Sequence, residues 1–213
     1  MWLYMVLMVL TGVSYNMQKY SFAYAFGYHS ADPSHTGPFF QIASEFPLLP
    51  LYYPILSSVA VLLPQSTVGL FTGIITDKVR NRVRLFGLGC IFWSSTTLIA
   101  GNTDNFYVFA LMRFLFGVGV SVANAPALSL IRDYFPPDYR STANSMYTFT
   151  LYLGISLASL SLLVIDKVGW RNDYTLYGCF GIIVASLLMT ILEEPERGRY
   201  DKKKSLTEVS DDS

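Results

Sequence analysis

The chain has 213 residues, of which 52% are apolar and only 14% charged, against roughly 25% charged residues in an ordinary soluble domain. Fifteen basic and fifteen acidic side chains cancel, which removes the electrostatic case for a nucleic-acid partner. Cys90 and Cys179 lie in separate apolar runs without cysteine or histidine at ligand spacing, so neither a disulfide framework nor a metal site is expected. Composition points to a membrane protein.

Residues 2–26 form the first apolar run, interrupted by Asn16, Gln18 and Lys19. No cation precedes it and two polar residues break it, so it reads as a span and not as a signal peptide. Residues 29–45 form a polar loop with Pro33, Gly37 and Pro38 and no Lys or Arg; its His29 and His35 are isolated and read as solvated. The second span, 51–76, contains Pro54 and Pro64, which membrane helices tolerate because neighbours satisfy the freed carbonyls.

A charged hinge then runs from Gly73 to Arg84. Lys78, Arg80, Arg82 and Arg84 place it on the cytoplasmic side, because juxtamembrane cations resist translocation. The third span is 85–100 and a cation-free turn covers 101–105. The fourth span, 106–131, encloses Pro126, and 132–140 is the next inner loop. The fifth span is 143–165, an outer turn covers 166–173, and the sixth span is 174–192. Residues 193–213 carry charge without periodicity and are expected to be a disordered cytoplasmic tail or the start of a linker. The bundle is thus 1–192. Eleven cations fall on the inner side and only Lys167 and Arg171 on the outer, so both termini are expected in the cytoplasm.

Glycine and alanine at four-residue spacing, Gly154 with Ala158 and Gly181 with Ala185, fit close helix crossings. On the fourth span Arg113, Gly117, Val120 and Asn124 share one stripe, and on the first Gly12, Asn16 and Lys19 share another. A cation at such depth costs at least ~2.5 kcal/mol unless it meets water or a partner. The competing readings are an Arg113 that snorkels to the headgroups and a first span shifted so that Lys19 lies at an interface. Two inward cations would make an electropositive cavity suited to an anionic or phosphate-bearing solute. Its candidate lining is Tyr15, Asn16, Gln18, Lys19, Gln65, Arg113 and Asn124. Asn124-Ala-Pro126-Ala lacks the order of a water-channel box, and no serine stands in a hydrolase elbow with a membrane histidine. No catalytic residue or cofactor is expected.

Gly73, Asp77, Lys78, Arg82 and Arg84 stand where the loop between helices two and three of the major facilitator superfamily carries its pattern, which this hinge resembles. Arg80 or Asn81 replaces the second glycine of that pattern. Arg113, Gly117 and Gly119 are similar to the family's helix-four motif. Residues 125–135, 140–143 and 194–198 look like the spinster-like branch.

The resemblance implies an all-α membrane protein of six transmembrane helices, the N-terminal half of a twelve-helix carrier. Such a carrier moves a small organic, anionic or lipid-like solute by alternating access between its two halves. Gly73, Asp77, Lys78, Arg82 and Arg84 would form its cytoplasmic gate. The branch usually carries a glutamate after the Gly-x-Gly and an Asp-Arg pair in helix one; Val120 and Gln18-Lys19 stand there instead. Proton coupling through those positions is therefore not expected. The second six-helix half is expected elsewhere, as the rest of a truncated reading frame or as a second copy of the chain. The rival readings are a non-transporting membrane protein that binds a full-length transporter, and a pore.

Overall fold

The computed structural model of the chain describes residues 2–29, 37–198 and 200. His35, Pro33, Arg199 and the lysines of the tail lie outside the described residues. The regular structure among them is all helical, with no strand.

The first span is α1 (Trp2–Gly27), a helix of 26 residues, about 39 Å at 1.5 Å per residue. Two short helices follow, α2 (Ile42–Glu45) and α3 (Leu49–Pro54). A π-helical turn, Ile55–Val59, joins α3 to α4 (Ala60–Lys78), and the three segments make the second span. Pro54 has no N–H to give, and the ladder reopens just after it as a wider turn. The third and fourth spans are α5 (Arg82–Gly101) and α6 (Phe106–Tyr134). The fifth is α7 (Pro137–Ala158) continued by α8 (Ser161–Val168), and the sixth is α9 (Trp170–Ile191).

Five of these spans meet both the length and the apolarity of a membrane crossing. The remaining span, α1, has the length but is diluted by Ser14, Asn16, Gln18 and Lys19. Three of those polar groups face inward, with Ser14 2%, Asn16 4% and Gln18 0% exposed. Average hydropathy under-reads a helix that turns its polar residues toward its neighbours.

The helices run past the boundaries expected from composition. α6 continues through Arg132 and Asp133 to Tyr134, so the inner loop shrinks from 132–140 to 135–136. α9 begins at Trp170 and takes Asp173 with it, where an outer turn is expected over 166–173. Charged residues end the apolar slab but not the hydrogen-bond ladder. A cation such as Arg132 in a last turn even favours its continuation. The α8–α9 junction is one residue, Gly169, at φ 82°. A Cβ there would also lie 2.6 Å from the Phe39 carbonyl oxygen.

α5 packs against α6 and α9, α4 against α6, and α1 against α7 and α9. The small-residue pairs sit at these seams. A Cβ on Gly154 would fall 2.4 Å from Asn16 Cβ, and one on Gly181 2.4 Å from Gln18 Nε2. Ala158 and Ala185 are fully buried. One core cluster, around Tyr4, Phe86, Trp93 and Phe135, fills the basic end of the bundle. A second, around Phe22, Phe46, Phe109 and Trp170, fills the opposite end.

Candidate functional site

Three polar assemblies interrupt this apolar bundle. The first lies at the basic end. Arg82, 2% exposed, donates from Nη1 to Asp133 Oδ2 at 2.6 Å and to Ser129 Oγ at 2.7 Å. Its Nε donates to Glu194 Oε1 at 2.7 Å. The other Glu194 oxygen accepts the Val83 N–H at 2.9 Å, at the start of α5, where helix dipole and free N–H groups favour an anion. Arg197 supplies the complement at the end of α4: it donates to the carbonyls of Thr76 (2.8 Å), Val79 (2.6 Å) and Asp77.

Residues 193–198 are therefore strapped across the α4–α5 turn, where a tail without order is expected. The turn itself needs no second glycine. Val79 and Asn81 have φ of −73° and −119°, and Asn81 caps α5 by accepting the Arg84 N–H at 2.9 Å.

The five expected gate residues thus divide. Arg82 is consumed within the bundle. Asp77, Lys78 and Arg84 have exposed side chains, and nothing lies within 4 Å of a Cβ built on Gly73. Asp133, Glu194 and Arg197 are missed by the sequence reading. Their signal was the acid in the Arg132-Asp133-Tyr134 run and the alternating charges of 194–197, assigned to loop and tail.

The second assembly is central. Arg113 is 3% exposed, its guanidinium enclosed by protein. Its guanidinium carbon stacks 4.3 Å from the Phe22 ring centre and 5.7 Å from that of Phe116. Its polar neighbours include Tyr15, Tyr53 and Tyr174, yet Nε and Nη2 have no hydrogen-bond partner. Tyr15 stacks on Phe116 at 6.0 Å, interacts with the Gln65 side chain, and lies 5.7 Å from Lys19 Nζ. Lys19 is half-buried and repelled by Arg113. Gln65 and Asn124 face each other across a groove of about 340 Å³ between α4 and α6, with Ser66, Gly69, Thr72 and Ser121.

Tyr15, Lys19, Gln65 and Arg113 are thus neighbours, while Asn124, eleven residues along α6 from Arg113, joins only Gln65, in the groove. Asn16 and Gln18 join neither. Asn16 Nδ2 bonds the Gly12 carbonyl at 2.8 Å, and its Cβ abuts α7. Gln18 ties three helices together: Nε2 donates to Ser14 Oγ (3.0 Å), Ser94 Oγ (3.2 Å) and the Tyr177 carbonyl (3.2 Å), and Oε1 accepts from Thr97 (2.8 Å). Likewise the middle of the Arg113 stripe is packing surface. Gly117 lets α4 approach so closely that a Cβ would meet the Val61 carbonyl oxygen at 2.3 Å, and Val120 is fully buried.

The third assembly closes the opposite end. Trp170 Nε1 donates to the Pro38 carbonyl at 3.0 Å and to Glu45 Oε2 at 3.1 Å. Arg171 pairs with Glu45 and with Asp104 at 2.5 Å. Just inside, Asp173 is completely buried and accepts from Ser21 Oγ at 2.6 Å.

Residues 5–210 match the model of the Major Facilitator Superfamily. Protein spinster homolog 1 of Homo sapiens is 30% identical over 140 residues, which cover 63% of this chain and 26% of that protein. The probable galactarate/D-glucarate transporter GudP of Escherichia coli (strain K12) is 25% identical over 145 residues, covering 65% and 32%. A solved structure of a bacterial homolog to the human lysosomal transporter Spinster, inward-facing and unoccupied, superposes with a TM-score of 0.73 at 24% identity. The match covers 92% of this chain and 44% of that one. The chain thus spans between a quarter and a third of the two relatives' lengths. From its helices, its charged α4–α5 turn and a match along nearly its whole length, the chain belongs to the Major Facilitator Superfamily.

Proposed function

We propose that the chain is one six-helix half of a carrier that moves a small organic anion, specifically a hydroxylated carboxylate, by alternating access. The observation that carries this is the Arg113 guanidinium. It is buried, its plane is held on Phe22, and the two nitrogens without partners, Nε and Nη2, form one edge. That edge matches the two oxygens of a carboxylate, the geometry of a bidentate charge-assisted pair. A buried guanidinium without such an acceptor is costly. Tyr15, Gln65 and Asn124 add donors and acceptors suited to hydroxyls, and Lys19 adds a second positive charge. GudP is named for two sugar diacids, which supports the same class.

The basic end faces the cytoplasm in this reading, and the second bundle packs on α4 and α7. The segments of those two spans are the least covered, 22% and 28% buried. Asp77, Lys78 and Arg84 then meet helix ends of that second bundle, with Gly73 leaving it room.

The test is uptake of D-glucarate into vesicles containing the chain together with its second six-helix half. Saturation with counterflow is expected, and both Arg113→Ala and Lys19→Ala should abolish it. Uptake unchanged in both variants would remove the electropositive passage, and non-saturating uptake would indicate a pore. No uptake by the unaltered protein would favour the reading in which the chain is a partner of another transporter.

A further inference from the structure

Neither position at which the branch usually carries a coupling carboxylate holds an acid here, since Gln18 and Val120 are both buried and neutral. An acid does lie inside the bundle elsewhere. Asp173, in the first turn of α9, is 0% exposed; Ser21 of α1 donates to its Oδ2 at 2.6 Å, and its Oδ1 has no hydrogen-bond partner. No described cation pairs with it. Arg171, two residues before, is engaged by Glu45, Asp104 and the Gly101 carbonyl. Arg113 is stacked on Phe22.

The groups that face Asp173 are neutral. From α1 there is Ser21; from α8 Ser161, which reaches toward the same carboxyl and donates to Tyr177 at 3.1 Å. From α9 there are Tyr174 and Tyr177. α5 contributes Gly101 against Tyr174 and Leu98 against Gly178, with no ionisable side chain. Asp166 of α8 is turned away, accepting from Tyr28 at 2.6 Å.

We propose that Asp173 is a proton-binding site, and that the bound proton is what lets α1 close on α8 and α9 at this end of the bundle. An uncompensated carboxylate needs a cation or water. The helix N-terminus and Ser21 both favour the anion, but neither replaces a full counter-charge. Trp170, Tyr174 and Ser161 nearby are all 0–1% exposed, so bulk water does not reach the carboxylate. The carboxylate takes a proton from water on that side as the seam shuts and returns it to water as the seam parts; no other bond changes. The proposal is independent of which solute the carrier moves and of the role given to Arg113.

Infrared titration of the protein in lipid vesicles tests it without any solute. The carbonyl stretch of a protonated carboxylic acid should appear at mildly acidic pH, above the range where exposed carboxylates titrate, and be missing in Asp173→Asn. Identical carboxylic-acid absorption in the two proteins at every pH would overturn the proposal. Should Asp173→Asn fail to fold, Ser21→Ala serves instead, because it keeps the acid and removes the Ser21 donor to it. Its acid band should persist to higher pH than in the unaltered protein; an unchanged titration would overturn the proposal equally.

Discussion

Replacing Arg82 with alanine tests the basic-end network most sharply. Three of its hydrogen bonds, to Asp133, Ser129 and Glu194, are 2.6–2.7 Å long, and bonds to charged groups contribute about 1.5–3 kcal/mol each. Against that gross gain stands the loss of hydration of a side chain that is 2% exposed. Removing one member of such a buried set leaves the others uncompensated and costs about 3–5 kcal/mol. Here the orphans would be two carboxylates, 5% and 20% exposed. At about 2–4 °C per kcal/mol for a chain of this size, the melting temperature in detergent should fall by about 6–20 °C.

Arg84→Ala, two residues on and exposed, is the control and should change stability by less than about 0.5 kcal/mol. Arg82→Met combined with Asp133→Leu and Glu194→Leu should recover only part of the loss, because it removes the buried charges but leaves the Val83 and Gly198 N–H groups without their carboxylate acceptors. If Arg82→Ala melted together with Arg84→Ala, the buried network would not be what holds 193–198 to the α4–α5 turn.

Gln18→Leu should cost about 2 kcal/mol in thermal melts. Ser14, Ser94 and Thr97 each lose a partner there, at about 0.6 kcal/mol on average for such bonds between membrane helices, and solute binding should be unaffected. Gly117→Ala should destabilise by about 1–3 kcal/mol, since its Cβ would press on the Val61 carbonyl. Gly73→Ala, with open space around it, should instead stabilise by about 0.5–1 kcal/mol in the same melts, as a helical glycine-to-alanine change. Its effect should appear in transport rate.

Much of the architecture is legible in the sequence because two signals coincide there. Long uncharged runs fix the spans, and the concentration of Lys and Arg in a few short segments separates one end of the bundle from the other. Boundaries are less legible. Arg132 and Asp133 end the apolar run but remain helical, and Asp173 reads as solvated while the α9 backbone draws it inside. Direction within a helix is harder still. Gln18 and Lys19 are adjacent, yet one is sealed between α5 and α9 and the other borders Tyr15; a stripe on a helical wheel does not say which neighbour it will meet. The strap over 193–198 is illegible for a different reason: its hydrogen bonds to the α4–α5 turn join residues more than a hundred positions apart.

The buried, unpaired edge of Arg113 is the feature that binding measurements test most directly. Titration calorimetry of the purified protein with D-glucarate should give saturable binding that weakens about tenfold or more in Arg113→Lys. Lysine keeps the charge but loses the planar fork, and tenfold corresponds to about 1.4 kcal/mol. Equal affinity in the two proteins, or no binding to the unaltered one, would contradict it.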